Sequence, residues 1–218
     1  MSPIPAPSNE RRSRPVYDRD SVLEIAVAVF NERGYDGAGM EHLAKALGLS
    51  KSSIYHHVSG KEELLDLAVA RALDALFAVL DEEDEESATS ATARLRHIVH
   101  RSVEVLAAQL PYVTLMLRIR GNSPVERRAL ERRREFDHRV AVLMADAAAE
   151  GGVRADIDPH LASRLLFGCV NSLIEWYRPD GEVPVTVLAD ALVTVLFDGL
   201  RGTAEPRARE DTTKVEEG

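Results

Sequence analysis

The sequence predicts an all-α fold of about nine helices, a small N-terminal head followed by a larger helical bundle. Two observations predict it. Apolar residues return at three- and four-residue spacing along nearly the whole chain, and alternating strand-type runs are nearly absent. Ala and Leu dominate the apolar set while aromatics reach only 5%, and Gly or Pro separates one periodic run from the next.

Residues 1–16 hold Pro3, Pro5, Pro7 and Pro15 among Ser, Asn and Arg, which predicts a flexible arm. A helix from Asp18 to Arg33 aligns Val22, Ile25, Ala26, Val29 and Phe30 on one stripe and stops at Gly34. Two short helices follow, Met40 to Leu47 closed by Gly48, and Lys51 to Val58 capped by Ser50. The fourth starts near Lys61, where Ser59 with Glu62, or Gly60 with Glu63, fits a capping box. Its stripe from Leu64 to Leu80 carries it to Asp81, so it should join head to body. The acidic run Asp81 to Glu86 reads as a solvated helix end and loop. Body helices are expected over Ala88 to Leu110, Pro111 to Arg120, Ser123 to Glu150, His160 to Tyr177 and Pro184 to Leu200. Asp158-Pro159 supplies the N-cap and first-turn proline of the fourth of these. Residues 203–218 are polar and should form a loose tail, which leaves a head over 17–65 and a body over 66–202.

Composition removes several classes. A formal charge of −9 on 218 residues excludes a uniformly basic nucleic-acid binder. One cysteine makes no internal disulfide and no Cys-based zinc site. Arg11, Arg12 and Arg14 are followed by no apolar core, so no signal peptide is read, and no apolar run reaches the roughly eighteen residues of a membrane helix. No GxSxG, HExxH or phosphate-loop pattern occurs, leaving an enzyme without a nucleophile and base. His97 and His100 lie one helical turn apart without a third ligand, so no metal is expected, and Cys169 reads as a small buried residue. The expectation is a cytoplasmic globular protein.

Met40 to Val58 carries the most information. Two helices too short to be stable alone share Leu43, Ala44, Leu47, Ile54 and Val58 as a small core, with Gly48 permitting the sharp turn between them. The second presents Ser50, Lys51, Ser52, Ser53, Tyr55, His56 and His57, donors with little acid among them, and Lys61 follows. A helix-turn-helix lays such a face in the DNA major groove, its first residues nearest the base edges.

Phe30-Asn-Glu-Arg-Gly-Tyr35, Leu43-Ala-Lys-Ala-Leu-Gly-Leu-Ser50, Lys51-Ser-Ser-Ile-Tyr-His-His-Val58 and Lys61-Glu-Glu-Leu-Leu65 resemble the tetracycline-repressor (TetR) family over about Asp18 to Ala68. The resemblance implies a homodimeric regulator with an operator-binding head and an effector-binding helical body. By position, Tyr55, His56 and Lys61 match the family's phosphate contacts, and Lys51, Ser52 and Ser53 its groove-facing positions. Three residues depart from the pattern. Ala38-Gly39 replaces the usual hydroxyl cap, Glu41 stands where Arg is frequent, and Val58 replaces Phe. Residues 1–65 carry eight basic and nine acidic side chains against nineteen and twenty-seven in the remainder, so the acidity lies in the body. The arginines of the arm either reach along DNA or belong to a solubilising tail.

In the body, Leu117 to Asn122, Glu131 to His138 and Asn171 to Gly181 resemble a TetR branch that responds to acyl-coenzyme A thioesters, nearest to regulators of phenylacetate degradation. A thioester of that kind needs an apolar slot and cations for its phosphates. Leu106, Tyr112, Met116, Phe136, Phe167, Val170, Ile174 and Trp176 are candidates for the slot, and Arg118, Arg120, Arg134 and Arg178 for the phosphates. The same apolar residues equally suit a bundle core, and the arginines between Arg127 and Arg134 equally suit i, i+4 pairing on a wet face. Leu161, Leu165 and Leu173, with Val187, Leu188, Leu192 and Val195, give the last two helices a second apolar face, which in the family is a two-fold dimer interface. The sequence thus points to a repressor released from a pseudo-palindromic double-stranded operator by an acyl-CoA-type effector, phenylacetyl-CoA a candidate, with no other cofactor and no membrane partner. A helical ligand-binding protein without an operator, or an acyl-CoA-using enzyme, is the alternative.

Overall fold

The computed structural model describes residues 18–82 and 89–199, and the arm and tail expected at the two ends fall outside this range, as does most of the acidic run. Among the described residues there are nine helices and no strand: α1 (Arg19–Arg33), α2 (Met40–Leu47), α3 (Lys51–Tyr55), α4 (Lys61–Asp81), α5 (Ala91–Ala108), α6 (Leu110–Arg118), α7 (Pro124–Ala149), α8 (Pro159–Trp176) and α9 (Val185–Phe197). No helix among them is long and apolar enough to cross a membrane.

The caps explain the boundaries. Side chains of Asp18, Ser50, Ser90, Ser123 and Asp158 each accept a hydrogen bond from a first-turn amide of the helix they precede. Ser90 thereby starts α5 later than the Ala88 expected from periodicity. At α4, Gly60 is the N-cap, and Glu63 rather than Glu62 reaches back to the Ser59 amide (2.6 Å). Gly48 closes α2 in the left-handed region (φ 63°), where a side chain is disfavoured.

Helices α1, α2 and α3 pack with the start of α4 around Val22, Ala26, Phe30, Leu43, Leu47, Ile54, Leu64 and Leu65, all buried. With 21 residues α4 is about 30 Å long. It runs from this head into the body, where it packs on α5, α6 and α7. In the body α9 lies on α5 and α8 on α7. Phe77, Phe136 and Phe167 stack edge to face at 5.9 and 5.2 Å, tying α4, α7 and α8 together.

Candidate DNA-binding face and effector cleft

Ile54 is fully buried and fixes the orientation of α3. Its anchoring turns Lys51, Ser52, Tyr55 and His56 outward, all exposed, while Ser53 and His57 are half-buried. The recognition helix is shorter than expected. It ends at Tyr55, and His56 and His57 form a turn in which the His57 amide donates to the Ile54 carbonyl (2.9 Å). Ser50 Oγ accepts from the Ser53 amide (3.2 Å) and lies 2.9 and 2.8 Å from the hydroxyls of Ser52 and Ser53, so these serines are engaged in a cap. Lys61 is also partly engaged: its ammonium donates to the carbonyls of Tyr35 and Ala38 (3.2 Å each) and sits 4.5 Å from the Tyr35 ring centroid. One N–H remains for a phosphate.

The departures from the family pattern have physical consequences. His42 Nδ1 accepts from the Gly39 amide (3.1 Å), so an imidazole on the third helical residue supplies the reciprocal half of a capping box, while the first-turn amides of α2 receive no side-chain cap. Glu41 pairs with Lys51, whose hydrogen bond and charge hold its carboxyl below the ordinary range. An acid on α2 therefore neutralises the first cation of the recognition helix.

The residues expected from sequence to share one body site are divided between the core and the surface. Leu106, Tyr112, Met116, Phe136, Phe167 and Val170 are buried within the packed core, and Ile174 packs against them. Trp176 is 55% exposed at the end of α8, because the i, i+3, i+4 stripe of that helix turns it away from α7. Arg134 and Arg178 are exposed, and Arg178 donates to the Tyr177 carbonyl. Along α7 itself the charges of Arg133 and Asp137 attract each other, but other α7 arginines look elsewhere. Arg128, Arg132 and Arg139 reach across to Asp66, Asp74 and Asp81 of α4 at 3.3, 2.8 and 2.6 Å.

Arg118 and Arg120 lie elsewhere, on a cleft of about 720 Å³ between head and body. Phe30, Arg33, Tyr35 and Asp36 line it from the head, and Leu115, Leu117, Ile119 and Glu126 from the body. Among the described residues three hydrogen bonds cross between head and body here: Asn31 Nδ2 to the Pro111 carbonyl (2.8 Å), Arg118 to the Asn31 carbonyl (3.3 Å) and Asn122 Nδ2 to Asp36 (3.1 Å). Sequence reasoning missed this cleft, since its two walls are some eighty residues apart in the chain.

With this geometry in place, the likeness to known proteins is informative. Residues 22–68 match the model for bacterial regulatory proteins of the tetR family, and residues 88–200 that for a tetracyclin repressor-like C-terminal domain. The HTH-type transcriptional repressor KstR2 of Rhodococcus jostii (strain RHA1) is 30% identical over 203 residues, 92% of this chain and 98% of that one. The chain belongs to the TetR family. It is a DNA-binding transcriptional regulator of the repressor type, as its relatives are, and not an enzyme. SCO3833, a solved TetR regulator of Streptomyces coelicolor A3, is 60% identical with a TM-score of 0.78, covering 83% of this chain and 91% of that one. AibR in complex with isovaleryl coenzyme A and operator DNA shares the fold at 22% identity, with a TM-score of 0.69 over 82% of this chain and 97% of that one.

TetR regulators dimerise, and the outer face of this TetR chain carries the apolar surface to consider for that contact. Leu161, Leu165, Val187 and Val195 are between 43% and 58% exposed, and Leu192 is half-buried. Leu173 and Leu188, assigned to the same face by periodicity, are 1% and 8% exposed and belong to the protomer's own core. Cys169 is exposed on α8, not buried as its apolar neighbours suggested. His97 and His100 take up acidic partners, Glu82 at 3.0 Å and Asp190 at 3.2 Å, and no metal-ligating trio occurs among the described residues.

Proposed function

We propose that the protein is a homodimeric repressor that reads a pseudo-palindromic operator through two copies of α3 and is released by an acyl-CoA-type effector, phenylacetyl-CoA being the first candidate. The observation that carries the operator half is the outward face of Lys51, Ser52, Tyr55 and His56 on a helix pinned from behind by Ile54. A two-fold dimer spaces two such helices by roughly one DNA turn, ~34–36 Å, as a palindrome requires. The acyl-CoA half is supported by the sequence resemblance and by the coenzyme A thioester bound to AibR, a protein of the same fold. The protein would act in the cytoplasm, where such thioesters and the DNA meet. Effector and DNA must then weaken each other's binding by the same factor.

Anisotropy titrations with DNA from upstream of the protein's own coding region test both halves. Tyr55→Ala should weaken binding about tenfold with unchanged circular dichroism. Glu41→Gln should tighten binding to unrelated DNA by freeing Lys51 and removing a negative charge from the face, with a steeper salt dependence. Phenylacetyl-CoA should release the bound DNA. Indifference of binding to both substitutions removes α3 from the interface, and indifference to a panel of acyl-CoA thioesters removes the effector class.

A further inference from the structure

We propose that the cleft between head and body receives the phosphate-bearing end of the effector, with Arg118 and Arg120 as its anion partners; this rests on the acyl-CoA reading above. Charge is the first argument. Arg33, Arg118 and Arg120 line the cleft together with two carboxylates, Asp36 and Glu126, and Arg33 also lies 3.9 Å from Glu32. Glu126 Oε2 accepts from the amides of Arg120, Gly121 and Asn122 (2.8, 2.8 and 3.2 Å), which occupies that oxygen with the loop's own backbone, and Oε1 lies 3.4 Å from Ser123 Oγ. Asp36 takes the Asn122 amide group. The Arg118 guanidinium donates only to a neutral carbonyl, that of Asn31, and the Arg120 guanidinium makes no hydrogen bond or ion pair among the described residues. Two forked donors without carboxylate partners, both lining one cleft, suit phosphate oxygens.

Preorganisation is the second argument. Glu126 is 3% exposed and pins the backbone that carries Arg120, with Gly121 held at φ 91°, a conformation few side chains tolerate. The arginine therefore projects from a fixed loop. Polarity and size are the third. About 720 Å³ accommodates a nucleotide-sized group, with Phe30, Leu115, Leu117 and Ile119 as an apolar floor. In the wall, Tyr35 Oη and Asn31 Oδ1 are buried with no hydrogen-bond partner among the described residues, a capacity the protein's own groups do not use.

The position also gives a route to the head. An anion drawing on Arg118 competes with the Asn31 carbonyl, and so loosens one of the two hydrogen bonds that join α1 to α6. Phosphate binding would be felt at α1, which packs on α2 of the DNA-reading unit.

Calorimetric titration of the full chain with phenylacetyl-CoA, free coenzyme A and inorganic pyrophosphate tests this. Arg118→Gln/Arg120→Gln should weaken both coenzyme A compounds at least about tenfold, while Arg134→Gln/Arg178→Gln should not. Circular dichroism and operator binding without effector verify the fold of each variant, and Arg120→Gln alone leaves the Asn31 contact intact. Thioester binding equally strong in the Arg118/Arg120 variant, or lost equally in the Arg134/Arg178 variant, overturns the cleft assignment and leaves the effector class standing. Free coenzyme A binding through Arg118 and Arg120 without release of DNA by any thioester supports the cleft and overturns the effector class. Pyrophosphate binding alone, with neither coenzyme A compound binding, overturns both.

Discussion

Glu126 is buried and ionised. Burial works to raise its pKa, but the amides of Arg120, Gly121 and Asn122 together with Ser123 hold it below the ordinary 4.5. A depressed native value means that the unfolded chain takes up the proton first. The stabilisation is therefore complete above about pH 4.5 and is lost as pH falls through the native value. Urea-unfolding midpoints should drop below that pH, and Glu126→Gln should flatten the drop. Parallel curves for the two proteins would assign the acid sensitivity to other groups. At neutral pH, Glu126→Ala leaves three amides without their acceptor and should cost roughly 2–4 kcal/mol. Tyr35, on the same cleft, is pushed up to about 12, first by burial and then by Glu62, Glu126 and Asp36, so it stays a neutral phenol. None of this was legible in a Ser-Pro-Val-Glu string beyond its helix-start pattern.

Helix α7 shows what periodicity leaves open. Its length followed from sequence, but its Ser123 cap was not read there, nor were the partners of its arginines, because Asp66, Asp74 and Asp81 stand some sixty residues earlier. Exposed pairs of this kind are worth little each, and their regular placement along α4 sets register more than stability. Arg132 and Arg139 also cover the Phe77 ring. Helix α7 ends just before Gly151, which is left-handed (φ 76°), and close contact constrains the next residue. A Cβ on Gly152 would meet Thr92 Oγ1 of α5 at 1.9 Å and Thr92 Cβ at 2.9 Å. Gly152→Ala should lower stability by about 1–3 kcal/mol in chemical denaturation. Adding Thr92→Ala removes the nearer atom and should restore part of the loss. No recovery in the double variant would mean that the strain lies in the backbone instead.

At the scale of the molecule, exposed apolar residues lie on both α8 and α9, helices that pack inward on α7 and α5. Leu165 is 58% exposed, so Leu165→Asp adds a charge without opening the protomer core. A two-fold dimer through this face would then dissociate, visible as half the mass in sedimentation. Operator affinity would fall with it, since two linked half-sites bind far more tightly than one. A variant that still sediments as a dimer would place the interface elsewhere.

Helix number, the turn at Gly48, the inward Ile54 and the class of regulator were all readable from the residues in order. Local periodicity, capping chemistry and a contiguous motif act within a few turns of chain, so the string alone specifies them. Which side of α8 faces out and what Arg118 and Arg120 border depended on elements distant in sequence meeting in space, and that Glu41 holds Lys51 depended on how α2 and α3 pack across the turn. Stripes on a helix say that a face is apolar. Only the packing of nine helices against one another says what that face meets.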